Sequence, residues 1–388
     1  MAYSPDEIET LAELAPHVER GSLSGLTLQG LDLSGVDLAR VALADTLFVG
    51  CHFRDRDTEA ALVRRGAAVI PPFPDAPFST HPAGLYSADD LAAGFARAGF
   101  EGMYDTVVYR HFVKQGGATP DVRTAIAQRL HDAGIDDALE EAMAEWRHLH
   151  PGGPVVGIMG GHAEPRGSRG YRQAAEISHR LTGVGALVVT GGGPGVMEAA
   201  NLGAYLPDGD ALSEAVDELA TAPDFRAHEE YTKKALDLRA KFPAVPSGSL
   251  SSSANSASGL REFAGGLAIP TWLYGHEPAN LFAAKIAKYF SNALREDIIL
   301  RLARGGIVFA EGKAGTVQEV FQAATKTFYA TDGTSGPFVF LGARYWTEDV
   351  PAPALLRTLL TGAPGGDQSH LVHVTDDIDE ALAAITGA

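Results

Sequence analysis

The sequence predicts a doubly wound parallel α/β sheet over residues 151–388, preceded by a short repeat-built β segment and a small helical layer. Three observations carry that expectation. Short apolar runs such as PVVGIMGG (154–161) and ALVVTGGG (186–193) lack the alternation of a half-exposed strand, and each precedes a helical stretch. Strands buried on both faces read this way, and their alternation with helices marks parallel pairing. Glycine clusters stand at the strand-to-helix turns, and between Leu26 and Phe53 the apolar period changes to five.

Composition narrows the function classes. The chain has 388 residues, 45% hydrophobic and 21% charged, with length for two or three cores. A net charge of -18 argues against a nucleic-acid partner, because phosphate backbones are held by clustered Lys and Arg. An anionic ligand would have to be held by loop amides, helix N-termini and a few placed cations. Cys51 is the only cysteine, which excludes an intrachain disulfide and a Cys-based zinc cluster. No charged-then-apolar leader and no apolar run near membrane-spanning length are visible, so no membrane partner and a cytoplasmic location are expected.

The first element, residues 1–65, contains LTLQG LDLSG VDLAR VALAD TLFVG CHF from Leu26. Leu28, Leu33, Leu38, Leu43, Phe48 and Phe53 hold one phase; Leu26, Leu31, Val36, Val41, Thr46 and Cys51 hold the phase two residues earlier. Neither a helix nor a plain strand keeps a period of five on one face, whereas a square coil with five-residue sides stacks both phases inside. The segment resembles the pentapeptide-repeat family, which implies a right-handed quadrilateral β-solenoid. About six quintets make roughly one and a half coils, too few to stand alone, so a packing appendage or dimer contact is expected.

Residues 66–86, rich in Pro and Ala, read as a linker. Residues 87–150 read as helical. Ser87 is placed to cap SADDLAAGFARAG, Thr119-Pro120 to open DVRTAIAQRLHDAG, and DDALEEAMAEWRHLH follows before Pro151. His148 and His150 have ligand-like spacing but no carboxylate or thiol partner. A helix C-terminus favours histidine in any case, and no metal is expected.

Beyond residue 151, LAIPTWLYG, GGIVFAEG, PFVFLGARYW and HLVHVT extend the series of strands. LFAAKIAKYF and DIILRLA (281–304) read as apolar helices needing cover beyond the sheet. Residues 207–262, with two polar helical stretches and SGSLSSSANSASG, read as an insertion near the site mouth.

Two loops carry chemistry. TGGGPGVMEAAN (190–201) joins a strand to a helix, where glycines admit a phosphate close to the backbone and the helix offers unpaired amides. EGKAGTVQEVFQ (311–322) repeats the arrangement, and a doubly wound sheet puts both along one carboxyl edge. The nucleotide-contact candidates are Gly160, Gly161, Gly191, Gly192, Gly193, Gly195, Met197, Glu198, Gly312, Lys313, Gly315 and Thr316. Glu319 follows within the next helix, either as a chemical or ribose-binding carboxylate or as a helix-dipole partner. His162, Arg166, Ser168 and Arg169 lie at the first strand's carboxyl end, with Arg166 taken as a contact, and Asn280 is a possible sugar contact.

GGGPGVMEAAN followed by GT-x-x-E resembles the LONELY GUY family, whose bacterial branch comprises nucleoside 5′-monophosphate nucleosidases. The resemblance covers roughly 154–201 and 267–346. It implies a Rossmann-like fold, a homodimer or larger oligomer, no cofactor, and hydrolysis of an N-glycosidic bond to free base and ribose 5-phosphate. It further implies that Glu319 and Arg295, which sits in ALREDIILRLARGGIVF, are the catalytic pair. The chain departs from the family's P-G-G-x-G-T: it reads Ala310-Glu311-Gly312-Lys313-Ala314-Gly315-Thr316, and Glu311 disfavours an anion unless it points away or pairs with Lys313. The alternative is a non-catalytic nucleotide sensor. A dinucleotide-dependent dehydrogenase is disfavoured, because GGGPGVMEA is not G-x-G-x-x-G and follows the second strand.

Overall fold

In the computed structural model, residues 6–206, 208–243 and 263–387 are described. They divide into two compact units, Met1–Leu85 with His111–Glu145 and Tyr86–Arg110 with Trp146–Ala388.

In the first unit the five-residue period becomes a stack of short parallel strands. These are β1 (Glu7–Ile8), β2 (Thr27–Gln29), β3 (Leu47–Val49) and β4 (Ala68–Ile70), which lie in chain order. Thr27 pairs with Leu47 and Leu28 with Phe48, while isolated bridges join Ser22 to Ala42 and Asp32 to His52. Each partner lies twenty residues on, the length of four quintets. Both apolar phases point inward: Leu28, Leu33, Leu38, Leu43 and Phe48 are buried with Leu31, Val41 and Cys51, and Leu26, Val36 and Phe53 pack against them. Thr46, the polar member of its phase, is satisfied by donating its hydroxyl to Leu23 O at 2.8 Å.

Two expectations need correction in this stretch. Ala68–Ile70, within the expected linker, pairs with β3, because its β-branched residues extend the parallel stack by one strand. The helix anticipated after Thr119-Pro120 begins at Val122, since the Asp121 carboxylate caps the amides of Arg123 and Thr124 at 2.8 and 3.1 Å. It then runs unbroken to Leu149 through Gly134, where a Cβ would stand 2.7 Å from Pro82. The helix accepts a glycine's poor propensity there because Pro82 packs directly on its backbone.

The second unit is built on seven parallel strands. They are β5 (Val155–Met159), β6 (Leu187–Thr190), β7 (Leu267–Ala268), β8 (Lys285–Ile286), β9 (Gly306–Phe309), β10 (Phe338–Leu341) and β11 (Val372–Thr375). Their order is β11-β10-β9-β5-β6-β7-β8. From β5 the chain winds outward through β6, β7 and β8, then returns to lay β9 on the other side of β5. Such a reversal opens a crevice at the carboxyl ends of the two strands. Helices Arg169–Gly183, Val196–Tyr205, Asn292–Leu302 and Ala314–Tyr329 follow the strand ends.

The expected strand LAIPTWLYG shortens to Leu267–Ala268, for Pro270 cannot donate to a ladder and Trp272–Tyr274 turn into a 3-10 helix. The expected helix over 281–290 is instead extended chain holding β8, which pairs Lys285 with Leu267. Its apolar residues Leu281, Phe282, Ile286, Tyr289 and Phe290 are buried inside the unit, so they need no cover from another copy. Ser87 does cap its helix, in a capping box with Asp90. His150 stacks on Trp146 with ring centroids 5.1 Å apart. The two polar stretches of the insertion are helices Gly209–Leu219 and His228–Lys241; its Ser-rich loop at 247–259 lies outside the described residues. Among the described residues no helix is long and apolar enough to cross a membrane.

Candidate functional site

The site grows from the carboxyl ends of β5, β6 and β9. After Thr190 the chain turns through Gly191–Gly193, with Gly192 at φ +71, a conformation that favours glycine. The Thr190 hydroxyl donates to Asn201 Oδ1 at 2.6 Å and accepts the Gly192 amide at 3.1 Å, while Asn201 Nδ2 donates to Gly265 O at 2.5 Å. Asn201 therefore ties the turn to the segment that leads into β7. At Gly195 a Cβ would fall 2.4 Å from Gly161 O, so only glycine lets this loop close on the one after β5. The Val196 amide completes that junction, donating to Gly161 O at 3.2 Å.

The third loop joins the same corner. The Gly161 amide donates to Glu311 O at 2.9 Å, and the Tyr345 hydroxyl donates to Gly312 O. A Cβ on Gly312 would meet Thr316 Oγ1 at 2.2 Å, so that glycine makes room for the threonine. Helices Val196–Tyr205 and Ala314–Tyr329 both begin here, and neither has a side-chain cap on its first turn. Their leading amides and dipole ends suit an anion.

Between the loops lies a cavity of about 800 Å³. Its wall includes Gly160, Gly161, Gly191, Gly192, Gly193 and Met197 from one side, and Gly312, Lys313, Gly315 and Thr316 from the other. Arg295 and Glu319 also reach it. Arg295 rises from the first turn of helix Asn292–Leu302, which Ser291 caps. It donates from Nη1 to Glu319 Oε1 at 3.2 Å, from Nε to Ile269 O at 2.8 Å and from Nη2 to Gly191 O at 3.2 Å. The last contact explains Gly191, where a Cβ would stand 2.0 Å from that nitrogen. Burial pushes the Glu319 carboxyl above its ordinary value; Arg295 opposes the shift and Glu296 adds to it.

Four of the expected contacts lie off the cavity wall. Gly195 shapes its loop from behind. Arg166 and Glu198 are buried against each other, with Arg166 Nε and Nη2 donating to the two carboxylate oxygens at 2.9 and 2.6 Å. Tyr171 and Tyr231 hydroxyls also donate to Glu198, at 3.0 and 2.5 Å. Asn280 directs Nδ2 to Asn201 Oδ1 at 2.9 Å and to Met197 O at 3.3 Å, supporting the glycine loop from beneath. Ser168 caps helix Arg169–Gly183, whereas His162 does line the cavity.

The wall also holds Glu277, Lys288 and Glu296, which the sequence had not singled out, and Glu311, which it had. Glu277 presents a second carboxyl, and its Oε1 lies 3.2 Å from His162 Nδ1. Lys288 lines the cavity while its Nζ donates to Asp105 at 2.5 Å, and Asp105 also accepts from Trp272 Nε1 at 2.9 Å. Glu296 is held by Asn292 and Gln318 at 2.7 and 2.8 Å. Glu311 leans on Gly342, where a Cβ would lie 2.9 Å from its Oε1. Burial raises its carboxyl pKa, as do Glu164, Asp349 and Asp376, while Arg169 opposes them. Glu277 lies in HEPANL, the stretch in which the sequence had singled out Asn280 three residues on. Among the described residues no group of three or more His, Cys, Asp or Glu side chains is arranged to hold a metal ion. In comparisons with known proteins, no protein-family profile matches the chain and no curated protein matches it.

Proposed function

We propose that this protein hydrolyses the N-glycosidic bond of a nucleoside 5′-monophosphate, releasing free base and ribose 5-phosphate. One observation carries the reading: a buried arginine–carboxylate pair, Arg295 and Glu319, stands in one cavity with two glycine loops that open uncapped helices. Gly315, Thr316 and the helix they open hold the 5′-phosphate while Gly192 and Gly193 line the nucleoside end, and the phosphate's binding energy positions the ribose. Breaking the bond develops oxocarbenium character at the anomeric carbon, which the Glu319 carboxylate stabilises while it takes a proton from the attacking water. Arg295 fixes Glu319 and opposes the upward pull of burial on its carboxyl.

The reading places the chain beside the LONELY GUY family, with a Rossmann-like core and a quadrilateral coil at residues 1–65 that the twenty-residue register supports. We propose a cytoplasmic homo-oligomer, for which the exposed Phe321, Tyr329, Leu355 and Leu359 offer apolar surface. The test is incubation of the protein with a panel of nucleoside 5′-monophosphates, with free base measured by chromatography. Release of base from at least one member is expected. Tight binding with no release from any of them would replace the hydrolase with a nucleotide sensor.

A further inference from the structure

The cavity contains a second buried carboxyl that the mechanism above does not use. The Glu277 side chain is 11% exposed and belongs to the irregular segment after the 3-10 turn Trp272–Tyr274, far along the chain from Glu319. Its two oxygens face different neighbours. Oε1 lies 3.2 Å from His162 Nδ1. Oε2 faces the first glycine loop, 3.1 Å from where a Cβ of Gly193 would be, and Met197 Cε lies 2.7 Å from the same point. Gly193, Met197 and Glu277 thus meet at one end of the cavity, where a polarisable thioether offers a planar base a soft contact and a carboxyl lies beside it. Glu319 stands with Arg295 and the loop after β9.

We infer that Glu277 is the general acid that protonates the departing base, with His162 as the positioning residue that orients its carboxyl. The inference rests on the hydrolase reading proposed above and assigns its second proton transfer. As the water oxygen bonds to the anomeric carbon, its proton passes to Glu319. The carbon–nitrogen bond breaks with its electron pair leaving on the base nitrogen, which takes the proton of Glu277. Exchange with bulk water returns Glu277 to its acid form and Glu319 to its carboxylate, so the net change is addition of one water. Two carboxyls given different work by different surroundings are a recurrent arrangement for glycosidic cleavage. Burial holds the Glu277 carboxyl above its ordinary value, as it does that of Glu319, and His276, Arg295 and Lys288 oppose the shift. Burial, Lys313 and Arg226 together depress the His162 pKa, which favours the neutral imidazole beside the acid.

The experiment compares two substrates in one variant. One is a nucleoside 5′-monophosphate that the wild type cleaves; the other is 4-nitrophenyl β-riboside 5-phosphate, whose leaving group departs as a stable anion. For Glu277→Gln, kcat/KM on the nucleotide should fall roughly 10²-fold or more, as for loss of a general acid, and by less than about fivefold on the nitrophenyl substrate. Glu319→Gln should fall on both. The ratio of the two rates is independent of the fraction of variant that folds. Equal losses on both substrates, or no loss on either, would overturn the assignment of Glu277. If the wild type releases base from no nucleotide, the hydrolase reading itself fails and this assignment falls with it.

Discussion

Two buried arginine–carboxylate pairs lie in the same unit, and they are built differently. Arg166 grips Glu198 with two hydrogen bonds, sends a third to Tyr231 O at 3.0 Å and stacks on the Tyr231 ring with 3.2 Å to its centroid. Two tyrosine hydroxyls complete the shell of Glu198. Nothing in that pair is left to offer a ligand. Arg295 touches Glu319 through a single contact at 3.2 Å and directs its other nitrogens to main-chain oxygens. Among the described hydrogen bonds only one Glu319 oxygen is engaged, and the side chain opens onto the cavity. Identical residue types therefore make a closed scaffold in one place and leave a carboxyl open to the cavity in the other. What separates them is hydrogen-bonding capacity left over after folding.

The largest expected effect tests the open pair. Glu319→Gln keeps shape and removes the charge proposed to stand opposite the oxocarbenium centre, so turnover should drop on the order of 10²–10⁴-fold. Nucleotide binding, followed by calorimetry, should hold or tighten once like charge near the phosphate is gone. A variant that hydrolyses as fast as wild type would remove Glu319 from the mechanism. The closed pair should respond in stability instead. Glu198→Gln leaves Arg166 buried without its counter-charge, which costs about 3–5 kcal/mol. Denaturant unfolding should show that loss, while the fraction that remains folded keeps its kcat. A normal midpoint with a collapsed kcat would mean that Glu198 belongs to the reaction after all.

The contrast also shows where sequence reading stops. The glycine loops were legible because a strand, a glycine cluster and a helix in succession leave few other structures, and Gly191–Gly193 and Gly312–Thr316 do stand on one cavity. The five-residue period was legible for the same reason: no helix or strand accommodates it. Arg166 and Glu198 were placed among the contacts because a closed ion pair and one open to a cavity look alike in one dimension. The fate of 281–290 was hidden because a two-residue strand in an apolar run is too short to carry a period. Glu277 was missed on related grounds, since its segment is irregular and only the return of the chain beside the loop after β6 brings it to the cavity. Gly134 misled in the other direction. The first of two helical stretches was read as ending at it, whereas it lies inside one helix and marks close packing against Pro82.

The smallest expected effect sharpens the comparison most, because it turns on the sign of one slope. Burial outweighs the attraction of Arg295 and raises the Glu319 carboxyl above its ordinary value of 4.5. Folding therefore favours the protonated form more than the unfolded chain does. The contribution of this group to stability is fully present below the unfolded value and is lost as pH rises through the folded one. Glutamine has no proton to lose. The melting temperature of Glu319→Gln relative to wild type should therefore climb as pH rises from about 4, by no more than a few degrees, and level off once wild-type Glu319 is fully ionised. Such a slope would mean that the fold tolerates an unfavourable charge at this site, as reactive centres commonly do. A relative melting temperature that falls with rising pH would mean that Arg295 stabilises the carboxylate more than burial penalises it. Glu319 would then be a structural partner of the same kind as Glu198, and the distinction between the two pairs would be lost.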